Sequence, residues 1–211
     1  MGKIIHLVNN RYDGAGIFAE ELNNEMKARK IDSYLISKFE KNERFNLKKL
    51  ISKALLLLFK KKGNMLSIPE IDLETKYIDR LKKITSNEKN VKVIIYGLNP
   101  FWKLINESKS NLDFYLYVID LEPLTSCCHH HKECIRINKI NKKCQGVNYF
   151  GQKLINYHSN KKSEILNKKI SKIFLENLYT YELLKKTNLI KIQEKIQIIG
   201  LSTRACSLNK M

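Results

Sequence analysis

Apolar residues in this chain gather in short blocks between polar stretches rich in Lys and Asn. Lys3-Ile4-Ile5-His6-Leu7-Val8 has the length and near-continuous apolar character of a buried strand. The turn Asn9 to Gly16 follows and ends in Asp13-Gly14-Ala15-Gly16. Ile17, Phe18, Leu22 and Met26 then recur at helical spacing around Glu21 and Glu25, and Ile31 to Ser37 reads as a second strand. Strand, glycine turn, helix and strand make a βαβ opening, which predicts an α/β fold with a Rossmann-like parallel sheet flanked by helices. Further buried strands are expected at Val91 to Tyr96 and Phe114 to Ile119, with weaker signals at Ile170 to Leu175 and Lys195 to Ile199. Helices are expected around 46–62, 72–84, 101–108 and 177–187. No internal repeat and no Pro/Gly/Ser linker divides the chain, which contains only 8 Gly and 3 Pro.

Composition supports a packed domain: 211 residues, 43% hydrophobic and 9% aromatic, suffice for a real core. The formal charge of +18, from 39 Lys plus Arg against 21 Asp plus Glu, draws the protein toward polyanions such as nucleic acid, an anionic bilayer or phosphorylated substrates. An A/T-biased coding sequence would produce the same scattered Lys, Asn and Ile, so both origins stand. Nucleic acid is the weakest of these partners, because aromatic residues are not interleaved with the basic ones as stacking platforms. No apolar run reaches the ~18 residues of a spanning helix, and Met-Gly-Lys-Ile-Ile-His-Leu-Val is too short for a signal peptide. A cytoplasmic protein, peripheral on the inner face of the membrane if it meets one, is therefore expected. In that compartment the five cysteines read as thiols or metal ligands before disulfides.

Three segments carry candidate chemistry. Gly14, Ala15 and Gly16 follow the first strand and would let a phosphate or sugar approach the backbone, although Ala19 stands where a dinucleotide fingerprint needs its third glycine. A plain tight turn explains the same glycines. Phe45 to Lys62 joins a leucine-rich body to basic ends, which suits either a membrane interface or a core helix with solvated lysines. Residues 127–144 hold four of the five cysteines and three of the five histidines. Cys128, Cys134 and Cys144 with His129, or with His130 or His131, would complete a tetrahedral structural zinc site. Thiol pairing, an apolar cysteine cluster and a catalytic thiol remain open readings of that loop.

Asp120-Leu-Glu-Pro-Leu-Thr-Ser-Cys-Cys-His-His, followed by Cys134 and Cys144, resembles a segment of bacterial family-4 glycosyltransferases of the colanic acid and exopolysaccharide type. In that family a strand ends in His-Asp-Met-Trp-Pro-Leu-Thr-Gly-Gly-Cys-His-Tyr. The Cys-x5-Cys spacing matches through Cys128 and Cys134. The opening strand and glycine turn, Tyr96-Gly97-Leu98-Asn99, and Asn177 to Thr187 fall in the family's order. Ile119 stands where the family has His beside the aspartate, Glu122 replaces its Trp, Ser126 and Cys127 its Gly-Gly, and Leu98 a His. Val147 occupies the last position of a closing Cys-x-x-Cys, and the hinge motif survives only as Ile199-Gly200-Leu201.

The resemblance implies the single N-terminal, acceptor-side half of a two-domain (GT-B) enzyme over residues 1–200, with a Cys/His-rich loop at 125–147 and, at 201–211, a tail where the hinge to the second domain would be. It implies hexosyl transfer with retention from a nucleotide-sugar donor to a polysaccharide or lipid-linked acceptor, with most of the donor site on a separate donor-domain protein. Asp120 would lie nearest the acceptor hydroxyl, Gly14, Ala15 and Gly16 beside the donor phosphates, and Asn99 and Thr125 against substrate. A structural aspartate capping the strand end is the plainer reading of Asp120. The alternative function is a non-catalytic membrane- or protein-interaction module derived from a truncated glycosyltransferase.

Overall fold

The alternating blocks form a six-stranded, all-parallel sheet in the order β2-β1-β3-β4-β5-β6. The computed structural model describes residues 2–39, 76–86, 88–108, 112–120, 123, 148–187, 190–191 and 193–199. The strands are β1 (Ile4–Asn10), β2 (Ser33–Phe39), β3 (Val91–Tyr96), β4 (Leu112–Val118), β5 (Ile170–Leu175) and β6 (Ile196–Ile198). The helices are α1 (Gly14–Ala28), α2 (Lys76–Thr85), α3 (Trp102–Glu107), α4 (Tyr149–Lys168) and α5 (Leu178–Thr187). This is a Rossmann-like α/β architecture, and no described helix is long and apolar enough to cross a membrane.

Period-two alternation divides each strand between two helical layers. Ile5 and Leu7 of β1, Val93 and Ile95 of β3, and Leu116 of β4 join one core with Leu81 of α2, Ile105 of α3, Ile165 of α4 and Leu184 of α5. Val8, Tyr96 and Tyr117 face the other way and meet Phe18 and Ala19 of α1. Among the described helices, α1 therefore covers one face of the sheet and α2 to α5 cover the other. In α2, the spacing of Tyr77, Ile78, Leu81 and Ile84 makes the apolar stripe that seats it.

The boundaries depart from the sequence expectation at informative places. β2 begins at Ser33, two residues beyond Ile31, because the buried Ser33 hydroxyl donates to Asn23 Oδ1 of α1 at 2.9 Å and fixes the start of the strand. The expected glycine turn is shorter than its sequence suggests. β1 continues to Asn10, and Gly14, Ala15 and Gly16 form the first turn of α1 because Asp13 caps it. The sequence pattern did not show α4. Its run of twenty residues carries Gly151 in the first turn and a polar middle in which Ser159 and Lys162 are buried, and its buried Ile165 and Leu166 lie near its end. The expected helix at 46–62 and the tail at 201–211 lie outside the described residues.

Candidate functional site

Strand order reverses direction between β1 and β3, since the chain runs from β1 outward to β2 and then returns past β1 to β3. The carboxyl ends of those strands form a topological switch point, which is where open α/β sheets bind ligands. Four features converge on this edge.

The first is the β1–α1 junction. Asp13 accepts a 2.8 Å hydrogen bond from the Gly16 amide, so that amide is engaged by the chain's own carboxylate. Gly16 is fully buried against β1, and a methyl group there would come within 2.6 Å of Arg11 backbone atoms and closer still to the Asn10 carbonyl oxygen. Its lack of a side chain lets α1 close onto the strand. Gly14 is different, because the space where its side chain would stand is open. Of the three residues expected to meet phosphate or sugar, Gly14 has the clear approach, Ala15 is half-buried beside the α1-side core, and Gly16 is taken up by packing.

The second feature is Asn9, whose buried Oδ1 accepts no hydrogen bond among the described residues. A buried carbonyl oxygen in that condition seeks a donor, and a hydroxyl or amide of a bound molecule would supply one. Sequence reading passed over Asn9 because nothing in an Asn-Asn pair marks which side chain turns inward.

The third is the turn after β3. Gly97 adopts φ 107, a left-handed value suited to glycine, and Asn99 opens the 3-10 turn Asn99–Phe101. Lys38 of β2, 5% exposed, donates to the Pro100 carbonyl at 3.0 Å and lies over the Tyr77 ring, so it ties this turn to the end of β2.

The fourth is a pair of carboxylates. Asp120 stands two residues past β4 and Glu176 one residue past β5, and both are half-buried. Burial, together with the charge of Asp120, raises the Glu176 carboxyl above its ordinary range. Glu176 in turn helps push the Tyr117 hydroxyl up to about 12, where burial is the larger cause. The raised Glu176 carboxyl holds a proton more readily than an isolated one does, and can pass one to or from a hydroxyl placed beside it. Glu176 was not legible as a site residue, since only the β4–β5 pairing brings it beside Asp120.

Beneath this edge, on the α1 side, runs a row of rings. His6, Tyr96 and Tyr117 stack in succession at centroid distances of 6.0 Å and 5.7 Å, and Phe174 continues the row at 6.5 Å from Tyr117. Met26 Sδ can only accept, so His6 Nε2–H donates to it at 3.4 Å. Nδ1 then accepts from the Tyr96 hydroxyl at 2.7 Å. Burial lowers the His6 pKa to about 4, which keeps the imidazole neutral.

Thr125, Cys128, His129, Cys134 and Cys144 lie outside the described residues, as do His130 and His131. Asn99 is placed by its backbone alone. Fold and edge together define a Rossmann-like α/β protein with a pair of carboxylates at the carboxyl ends of two neighbouring strands. No protein-family model matches this chain, and no curated protein matches it significantly.

Proposed function

We propose that this chain is the acceptor-side half of a glycosyltransferase, acting with a separate donor-binding half on a polysaccharide or lipid-linked acceptor. The observation that carries the reading is the position of Asp120. The aspartate that opens the family-like stretch lies at the carboxyl end of a central parallel strand, beside a second carboxylate whose proton affinity is raised. In this reading an acceptor hydroxyl lies against Asp120, which takes its proton as the oxygen bonds to the sugar's anomeric carbon. The bond from that carbon to the nucleotide diphosphate breaks, and the diphosphate leaves with the donor half. The acceptor's proton stays on Asp120 until it passes to solvent, beside a Glu176 carboxyl that is raised above its ordinary range. With Ile119 where the family has a histidine, this carboxylate pair is a proton-handling group that the described residues offer at this edge.

The donor half is proposed to cover the carboxyl edge. Tyr12, Ile17, Tyr149, Leu178, Tyr179 and Ile198 are all exposed there, in the loop after β1, the first turns of α1, α4 and α5, and the end of β6. Apolar side chains gathered on one edge mark a surface that another protein or domain covers. The same observation favours the second reading, a non-catalytic interaction module, which differs in predicting no acceptor contact at Asp120.

The purified chain alone is expected to turn over no nucleotide sugar, because a half enzyme lacks the phosphate clamp that stabilises the departing charge. Turnover by the isolated chain would overturn the split-enzyme reading. With a donor half supplied, Asp120→Asn should lower kcat by about a hundredfold or more while leaving the melting temperature nearly unchanged. An unaltered kcat would leave the module reading.

The Cys/His loop is proposed to hold a structural zinc through Cys128, His129, Cys134 and Cys144. Thiolate and imidazole donors suit that ion, and a metal clip gives order to a loop with little apolar content. Protein purified without added metal should contain one zinc per chain, and Cys134→Ser should lower both zinc content and melting temperature. Zinc-free protein of full stability would remove the metal from the account.

A further inference from the structure

In a parallel α/β fold the helices run antiparallel to the strands they connect, so every helix C-terminus arrives at the edge where the strands begin. Cations are favoured at helix C-termini. The last turns of α1, α2, α4 and α5 carry Lys27, Lys82 and Lys83, Lys168, and Lys185 and Lys186. The topology therefore gathers on one surface the lysines that the sequence scatters along the chain.

One part of this surface lies around the starts of β2, β1 and β3. Lys27, Lys30, Lys82, Lys83, Lys89 and Lys92 are all exposed there. No hydrogen bond or ion pair joins their side chains to another described residue. The neighbouring carboxylates are already engaged. Glu25 receives Arg29 at 2.8 Å, and Lys3 lies 3.0 Å from Glu88 and 4.0 Å from Asp32. The strand starts are level, since Ile4 pairs with both Ser33 and Lys92, and Val91 pairs with Leu112. None of the exposed large apolar side chains of the described residues lies at this edge.

We propose that the amino edge of the sheet docks on an anionic lipid bilayer through lysine charge alone, with the carboxyl edge facing away from the membrane. A level array of flexible ammonium groups meets a planar field of lipid phosphates more fully than it meets the curved backbone of a duplex. Single-stranded nucleic acid fits poorly, because among the described residues the exposed rings on which bases would stack lie away from this edge. This surface is independent of the glycosyl-transfer reading.

The test uses the full chain with vesicles of phosphatidylcholine, with and without phosphatidylglycerol. Wild type should co-sediment with the anionic vesicles only, and salt should release it. K27Q/K30Q/K82Q/K83Q/K89Q/K92Q should lower the partition coefficient by at least about a hundredfold. The corresponding six Lys→Arg changes should preserve binding. K82Q/K83Q, a milder variant that keeps the remaining lysines, should lower binding by about thirtyfold. Neutralising Lys48, Lys49, Lys60, Lys61 and Lys62 should leave most of it in place. Three outcomes overturn the proposal: no binding to anionic vesicles, undiminished binding by the six-fold Gln variant, or tighter binding to duplex DNA at equal phosphate concentration.

Discussion

Gly16→Ala is expected to lower the melting temperature by about 10 °C, whereas Gly14→Ala, two residues earlier in the same helical turn, should leave it unchanged or slightly raised. The added methyl at Gly16 would fall within 2.6 Å of Arg11 backbone atoms and would also press on the Asn10 carbonyl oxygen. Neither obstacle is the movable end of a side chain. Relief requires α1 to lift from β1, which disturbs the packing of Phe18 and Ala19 against Tyr96 and Tyr117. Overpacking against fixed backbone costs about 3 kcal/mol, and for a chain of this size each kcal/mol moves the midpoint by about 2–4 °C. At Gly14 the methyl enters open space in a helical first turn, where alanine is the better helix former by up to about 1 kcal/mol. Thermal melts of the two variants decide the matter. Equal melting temperatures would mean that α1 does not approach β1 this closely.

Acidification should destabilise the protein steeply between about pH 6.5 and pH 4, with His6 as a principal cause. In the unfolded chain the imidazole titrates at 6.5, and in the fold burial lowers it to about 4. Over that interval the unfolded state binds a proton that the folded state refuses, so stability is complete above pH 6.5 and falls with pH until about pH 4. The difference of about 2.5 units corresponds to a loss of about 3 kcal/mol. Protonation also requires Nδ1 to donate where it now accepts from Tyr96, whose hydroxyl would have to turn away. His6→Gln keeps a polar partner for Tyr96 without a titrating group. Urea unfolding of this variant should give a flatter profile across the interval than wild type does. A variant profile as steep as that of wild type would assign the acid sensitivity to other groups.

His6 also shows where reading the chain reaches its limit. In Lys3 to Val8 it looks like a polar interruption of an apolar block. Its partners, Tyr96 and Met26, are separated from it by 90 and 20 positions and arrive through the β1–β3 pairing and the α1 crossover. Asp120 and Glu176 show the same limit. The first stood out within its own stretch of chain, while the second became its neighbour only when β5 paired with β4.

Local physical chemistry was legible wherever it is local in sequence. β3 and β5 run at Val91–Tyr96 and Ile170–Leu175, the same residues as the apolar blocks that predicted them, the signal of β5 being the weaker because the exposed Ser171 and Lys172 interrupt its apolar run. α5 was legible as well, from helical spacing at 177–187. α4 was not, because its polar middle obscures the helical period and its burial depends on the sheet beneath it. By itself, then, the sequence determined the α/β class, the parallel opening, the larger strands and the excess of lysine. Tertiary structure decided which glycine packs and which lies open, which carboxylates meet, and that the lysines of separate helices share one edge. Each of those facts is a distance between residues remote along the chain, and strand order and crossover direction set such distances.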